Sequence, residues 1–350
     1  MSSRRAVVIG GSGFVGARVV ALLAGARRPE WPSFDEILVA DVAPYEWREP
    51  AAPRVPVRSK RCDVRSRDDL RQVIAGAHTV FHLASMVHVG LRREPRIDEV
   101  NVMGTRHVVD VCRELGIRHL VYTSSEDVSL GEIPVVGGDE SLPYPERPIH
   151  DYVRTKIEAE RVVLAAHGTA GLRTVAIRPV HVYGAGDPHA IPTSLRAFAK
   201  GTVPFLLGDG TARFDVVHVD NVAHAHLLAA ARLQSDDGAR VVGGKAYLVN
   251  EDNAPNYFEF LRPYAEAANV RMPTRHLGRR RTAMLARAME WAHALTGAEV
   301  PFHGFHVRVI CQDFFFTSER ARRELGYVPL VSPEEGRRRT EAWARTLAIS

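Results

Sequence analysis

The chain has 350 residues, 45% of them hydrophobic and 25% charged, which suits one large α/β unit with a smaller appended region and excludes a disordered or low-complexity chain. Its formal charge of +5 comes from 46 basic and 41 acidic side chains, and lysine stands only at 60, 156, 200 and 245. Scattered arginine of this kind reads as a salt-bridged surface, not as the concentrated stripe that nucleic acid requires.

Residues 1–16 run straight into a strand and a glycine cluster, without the apolar stretch of a secretory signal. Residues 6–9 predict a buried strand, and 14–26 an apolar-periodic helix. Gly10, Gly13 and Gly16 lie between them. In a strand–turn–helix setting the first glycine permits the turn, the second lets the backbone approach a pyrophosphate, and the third allows close helix packing. The helix start adds free N–H groups.

A second strand is expected over 36–40, with Asp41 at its end. A carboxylate there accepts hydrogen bonds from ribose hydroxyls and repels a 2′-phosphate, so NAD is expected; Arg48 and Arg54 leave NADP open. Asp63 and Val64 follow a short strand. Asp63 either reaches the adenine amino group or caps the helix that opens near Arg67. Further strands are predicted over 80–84 and 119–123, with a helix over 100–115 between them. Alternating strands and helices imply a doubly wound parallel (Rossmann) sheet.

The fourth strand ends at Ser124 and Ser125, and a helix over 152–166 follows. That helix begins Tyr152-Val153-Arg154-Thr155-Lys156, which puts a phenol and an ammonium four residues apart on one face. A tyrosine with its ordinary pKa near 10 is a poor base at neutral pH. A neighbouring ammonium is expected to favour the phenolate, as metal-free alcohol oxidation requires. Ser125 is placed to hold the substrate oxygen against Tyr152.

A strand over 174–177 ends at Arg178-Pro179, after which Gly- and Pro-rich loops alternate with short helices. The expected division is a nucleotide-binding unit over 1–180 and 216–250, with a smaller interleaved substrate region over 181–215 and 251–350. Residues 216–250 are expected to rejoin the main sheet. His88, His150, His181 and His189 are pocket candidates. His218, His224 and His226 lack a convincing partner set, and no metal site is expected. Cys62, Cys112 and Cys311 form no CxxC pair and no even-numbered framework, which points to free thiols in a reducing compartment.

The segments 10–16 (GGSGFVG), 82–85 (HLAS), 101–105 (NVMGT), 122–125 (YTSS), 152–156 (YVRTK) and 178–184 (RPVHVYG) resemble the extended short-chain dehydrogenase/reductases. Residues 215–230, 244–261 and 314–343 narrow the resemblance to the 3β-hydroxysteroid dehydrogenase family, nearest to its sterol-4α-carboxylate 3-dehydrogenase (decarboxylating) branch. The resemblance implies Ser125, Tyr152 and Lys156 as catalytic groups, with Asn101 supporting the proton relay or the helix geometry. It implies cofactor contacts from Gly10, Gly13, Phe14, Val15, Gly16, Asp41, Asp63, Val64, Leu83, Ala84, Ser85, Thr123, Tyr152, Lys156, Pro179 and Val182. Met86, His88, Asp127 and His181 are the substrate-side candidates.

The activity so implied is NAD-dependent oxidation of a 3β-hydroxyl on a sterol-like substrate, with or without loss of a neighbouring carboxylate. The alternatives within this fold are a nucleotide-sugar epimerase or dehydratase and a ketoreductase acting on a β-keto lipid. A non-catalytic NAD-sensing regulator disagrees with the intact Tyr/Lys pair. One departure stands out, Glu126-Asp127 after the serines, which puts an extra carboxylate near the site mouth.

The segment 282–295 is too short and too charged to span a bilayer. Arg287, Glu290 and His293 form its polar stripe, opposite a broad apolar surface, and arginines precede it. Such a helix either lies in a membrane interface or packs over the pocket or another subunit. A cytoplasmic protein is expected, with peripheral membrane contact through 279–295 as an alternative placement, and by resemblance a homodimer.

Overall fold

The computed structural model describes residues 4–25 and 27–349. Eleven strands are formed among them: β1 (Arg5–Ile9), β2 (Glu36–Asp41), β3 (Val57–Arg61), β4 (Ala77–His82), β5 (His119–Thr123), β6 (Val135–Gly138), β7 (Arg173–Pro179), β8 (His181–Tyr183), β9 (Val216–His218), β10 (Ala246–Val249) and β11 (Phe314–Phe316). Seven of them make one sheet in the order β10-β7-β5-β4-β1-β2-β3, and every pairing in it is parallel. β1 lies between β2 and β4, where the chain first winds one way through β2 and β3 and then the other way through β4 and β5. In sheets of this type ligands bind outside the carboxyl ends at that reversal.

Helices α1 (Phe14–Gly25), α2 (Arg67–Ile74), α3 (Gly104–Glu114), α4 (Asp151–Ala165), α5 (Ala190–Ala199), α6 (Val219–Gln234), α7 (Asp236–Val242), α8 (Tyr257–Ala267), α9 (Arg279–Thr296), α10 (Gly304–Cys311) and α11 (Pro333–Ala344) complete the fold. α1 and α6 pack together on one face of the sheet, and α2, α3 and α4 cover the other. The strands are apolar on both faces because both are covered. One core gathers Val8, Val39, Phe81, Val121 and Val175 against α1 and α6. A second gathers Val7, Ile9, Val80, Leu120 and Tyr122 against α2, α3 and α4. A third, built from residues of α5, α8 and neighbouring loops, includes Leu195, Phe214, Phe258, Leu261, Phe302 and Cys311.

Several expectations need correction. The strand expected over 80–84 ends at His82, since the amides of Leu83 and Ala84 both turn to the Ile9 carbonyl. The helix expected over 100–115 opens with a π-helical turn, Asp98–Met103. Ala26, the expected last residue of the first helix, lies outside the described residues. Of residues 216–250, only β10 joins the main sheet, while β9 pairs with β8 in a separate two-stranded sheet. Within the stretch 251–350, Phe314, Phe316, Ala321, Leu325 and Tyr327 pack in the first core instead of the third. β11 pairs with β6 there, so this returning segment closes over the sheet.

Candidate active site

The nucleotide end of the crevice is made largely of backbone. Gly10 has φ +81°, and a Cβ added to it would lie 2.4 Å from the Ala84 amide nitrogen. A Cβ on Gly16 would lie 2.1 Å from the Gly10 carbonyl oxygen. These approaches seat the start of α1, with Phe14 and Val15, directly on the strand ends. Around Gly13 the space is open apart from the Gly10 carbonyl at 3.3 Å, so a phosphate can come close to its backbone. This cradle fits a dinucleotide pyrophosphate.

Asp41 closes the loop from the side. Its carboxylate accepts hydrogen bonds from the Ser12 amide (2.9 Å) and the Ala43 amide (3.0 Å). Each oxygen keeps a lone pair for a ribose hydroxyl. Asp63 pairs with Arg65 at 2.7 Å, which holds its pKa low and leaves its carboxylate able to accept from an amino group. It does not cap α2. Ser66 does, by accepting from the Asp69 amide. Val64 is buried in the second core.

Asn101 in the π-turn acts as a clamp. Its Oδ1 accepts from the Met86 amide (2.7 Å) and the Ser85 hydroxyl (3.2 Å), while Nδ2 donates to the Met86 carbonyl (2.9 Å) and to Thr155 Oγ1 (3.1 Å). The Thr155 hydroxyl in turn donates to the Tyr152 carbonyl. Asn101 therefore ties the loop after β4 to α4, and among the described contacts it does not touch the Tyr152 phenol or the Lys156 ammonium.

His150 caps α4, accepting from the Tyr152 amide at Nδ1 (3.2 Å) and donating from Nε2 to the Gly90 carbonyl (3.1 Å). Those roles define a neutral imidazole, and burial lowers its pKa accordingly. The His88 ring lies 6.5 Å from the His150 ring. His181 is placed apart from these, with its ring 4.9 Å from Phe214 and 6.2 Å from Phe260. His189 immediately precedes α5, its amide bonded to Asp187. Val182 packs against the first core, and Pro179 ends β7.

Tyr152, Ser125 and Lys156 are all buried. The Ser125 hydroxyl lies 3.0 Å from Glu126 Oε2 and 3.2 Å from Asp127 Oδ2, and its influence on the Tyr152 phenol favours the ionised form. Lys156 Nζ donates to the Thr123 carbonyl at 2.6 Å and lies 4.8 Å from the centre of the Tyr122 ring. Burial lowers the Lys156 pKa to about 8, opposed by Glu160 and Asp127.

Here the electrostatic expectation is corrected. Burial first, then Asp127 and Glu126, push the Tyr152 pKa up, opposed by Ser125. The ammonium faces the Thr123 carbonyl and the Tyr122 ring, so in this arrangement burial and then the carboxylates hold the phenol protonated. Asp127 itself rises to about 6 through burial, against the Ser125 hydrogen bond and Lys156. Glu126 rises well above the carboxylate range through burial and the Asp127 charge.

Two supporting groups escaped sequence reasoning. His226 Nδ1 donates to the Val222 carbonyl (2.8 Å), which leaves Nε2 to accept the Thr123 hydroxyl (2.6 Å). It thus fixes the residue whose carbonyl holds Lys156. Glu160, four residues after Lys156, is paired with Arg178 at 2.6 Å and bonded to the Tyr144 hydroxyl. Burial works to raise its pKa, but Arg178, Ser124 and Tyr144 outweigh it. The spacing Lys156–Glu160 is legible as an i,i+4 pair; the His226 contact spans 103 residues and leaves no local signal.

Similarity to known proteins identifies the family. The model of the 3-beta hydroxysteroid dehydrogenase/isomerase family matches residues 7–279. A 3 beta-hydroxysteroid dehydrogenase/Delta 5→4-isomerase of Mycobacterium tuberculosis is 34% identical over 339 residues, 95% of this chain and 88% of that one. A sterol-4-alpha-carboxylate 3-dehydrogenase, decarboxylating, of Saccharomyces cerevisiae is 34% identical over 350 residues, covering 96% and 97%. Among solved structures, MoeE5 in complex with UDP-glucuronic acid and NAD superposes with a TM-score of 0.71 at 25% identity, covering 97% of this chain and 99% of that one. With a glycine cradle at the sheet reversal and a buried Ser–Tyr–Lys set at the end of β5, this chain belongs to the 3-beta hydroxysteroid dehydrogenase/isomerase family.

Proposed function

We propose that this protein oxidises the 3β-hydroxyl of a hydrophobic, sterol-like alcohol, using NAD. The observation that carries the reading is the convergence of Ser125, Tyr152 and Lys156 beside a backbone cradle, with Asp41 at the ribose end. Bound NAD supplies the hydride acceptor. Ser125 orients the alcohol oxygen, Lys156 and the positive nicotinamide ring of bound NAD favour the Tyr152 phenolate against burial and the two carboxylates, and that phenolate takes the alcohol proton. Asn101 and His226 are positioning residues, the first through Thr155 and the second through Thr123. Asp41 favours NAD, since a 2′-phosphate would meet its carboxylate.

Tyr152→Phe tests this reading. NAD-dependent turnover of a 3β-hydroxysteroid should fall by roughly a thousandfold, because a positioned acid–base group contributes factors of that order, while NAD binding measured by calorimetry persists. Unchanged turnover would remove Tyr152 from the mechanism. Turnover of a nucleotide sugar, with none of any sterol, would favour the epimerase reading instead.

A second proposal concerns α9. The expected polar stripe is partly turned inward: Glu290 accepts from the Gly304 amide and His293 bonds the Ala298 carbonyl. Met284, Trp291 and Leu295 are instead 71%, 73% and 82% exposed. At 100° per residue these three and Ala288 form one stripe, with Arg280, Arg281 and Arg287 alongside. No described helix is long and apolar enough to cross a membrane. An apolar stripe with arginine flanks fits an anionic lipid surface. Co-sedimentation should be strong with phosphatidylglycerol vesicles, weak with phosphatidylcholine, and lost in Trp291→Glu. Equal failure with both vesicles and a dimeric mass by light scattering would assign the stripe to a second copy.

A further inference from the structure

The reacting corner holds more acid than an alcohol oxidation requires. Residues Glu126–Ser129 form a 3-10 turn capped by Ser125, whose hydroxyl accepts from the Asp127 amide at 3.2 Å. The turn therefore delivers both carboxylates to one hydroxyl, that of Ser125, and both carboxylates act on the Tyr152 phenol. Glu126 is 9% exposed.

Positive charge at this corner is already spent. The Lys156 ammonium already lies in the field of Glu160 and Asp127, which favour its charge against burial, and it donates to the Thr123 carbonyl. Among the described residues, no arginine or lysine hydrogen-bonds or ion-pairs with Ser125, Glu126, Asp127 or the Tyr152 phenol. Asp215, a third carboxylate, also acts to raise the Glu126 pKa. Burial raises both carboxyls, Asp127 to about 6, and the Asp127 charge adds to the rise of Glu126, so Asp127 still carries negative charge at neutral pH.

We infer that the Glu126–Asp127 pair selects alcohols whose carbon next to the carbinol carries no charge, and turns away those with a carboxylate there. This rests on the dehydrogenase reading and narrows it to neutral 3β-hydroxysteroids. A carboxylate on the adjacent carbon lies within a few ångströms of the alcohol oxygen, hence beside Ser125 and the acidic pair. Two like charges at that distance in a buried site repel strongly, and Lys156, the cation that acts on Asp127, is already shared with Asp127, Glu160 and the Thr123 carbonyl. The reaction then ends at the ketone: the O–H proton goes to Tyr152, the C–H hydride to NAD, and no C–C bond breaks.

The test compares NADH formation by the full chain on a 3β-hydroxysteroid unsubstituted at C4 and on its 4α-carboxy counterpart. The neutral substrate should have a kcat/KM higher by about a hundredfold, the order expected of one uncompensated like-charge contact. Asp127→Asn and Glu126→Gln should each shift the ratio of the two substrates at least about tenfold toward the acid, whereas Asp127→Glu, which keeps the charge, should restore it. Reading ratios cancels any general loss of activity. Preference of the wild type for the carboxylated sterol, or a ratio unmoved in both amide variants, would overturn the inference alone. If neither amide variant folds, the wild-type preference decides it. Absence of turnover on every sterol would sink the dehydrogenase reading, and this inference with it.

Discussion

The loop of residues 10–16 and the turn of residues 125–130 both lie at the carboxyl edge of the sheet, yet they are built from opposite materials. The first presents amides and empty space: what matters at Gly10 and Gly16 is that no Cβ is there. The second crowds a phenol, a hydroxyl and two carboxylates into a buried volume close to Lys156. Shape decides the nucleotide end, and balanced charge decides the chemical end. Substitutions should therefore fail differently, by collision in one place and by unbalanced electrostatics in the other.

The largest effect is expected where charge and fit coincide. Lys156 is 2% exposed, with its ammonium between the Thr123 carbonyl and the Tyr122 ring. Lys156→Arg keeps the charge but brings a planar group too wide for that seat, and kcat should fall by roughly 10²–10³-fold. Near-normal kcat in steady-state assays would mean that only charge matters here, which would break the contrast with the loop. Next comes Gly16→Ala, whose methyl would meet the Gly10 carbonyl oxygen at 2.1 Å. It should cost about 3 kcal/mol in urea unfolding and weaken NAD binding at least about tenfold.

The smallest effect sharpens the electrostatic half. Asp127 titrates at about 6 in the folded chain, above the ordinary aspartate value. The folded state thus holds that proton more tightly. Its contribution to stability is full below about pH 4 and lost as pH rises through about 6. Asp127→Asn cannot ionise, so above about pH 7 it should be more stable than the wild type by about 2 kcal/mol, with a Tm a few degrees higher. The two melting curves should converge near about pH 4; a constant difference across pH would show that the charge is not the cause.

Much of the fold was legible because its signals are local. The strand of residues 119–123 was expected with the bounds observed, and the strand–glycine–helix opening is a pattern of adjacent residues. Tyr152 and Lys156 were readable as a pair because helical spacing alone puts them on one face. The π-turn at Asn101 was not, since regular periodicity continues on either side of it. Nor was the return of Phe314 and Phe316 to the first core, because an apolar run does not say which core will bury it.

By itself the sequence determined the alternation of elements, the glycine loop, the aspartate at the end of β2 and the Ser–Tyr–Lys candidates, all set by neighbours within a few positions of one another. Only the tertiary structure decided which charge acts on the phenol, that His226 supports Thr123 from 103 residues away, and which face of α9 meets solvent. The physical reason is that burial and electrostatic balance depend on every group packed nearby, and those groups come from strands and helices far apart along the chain.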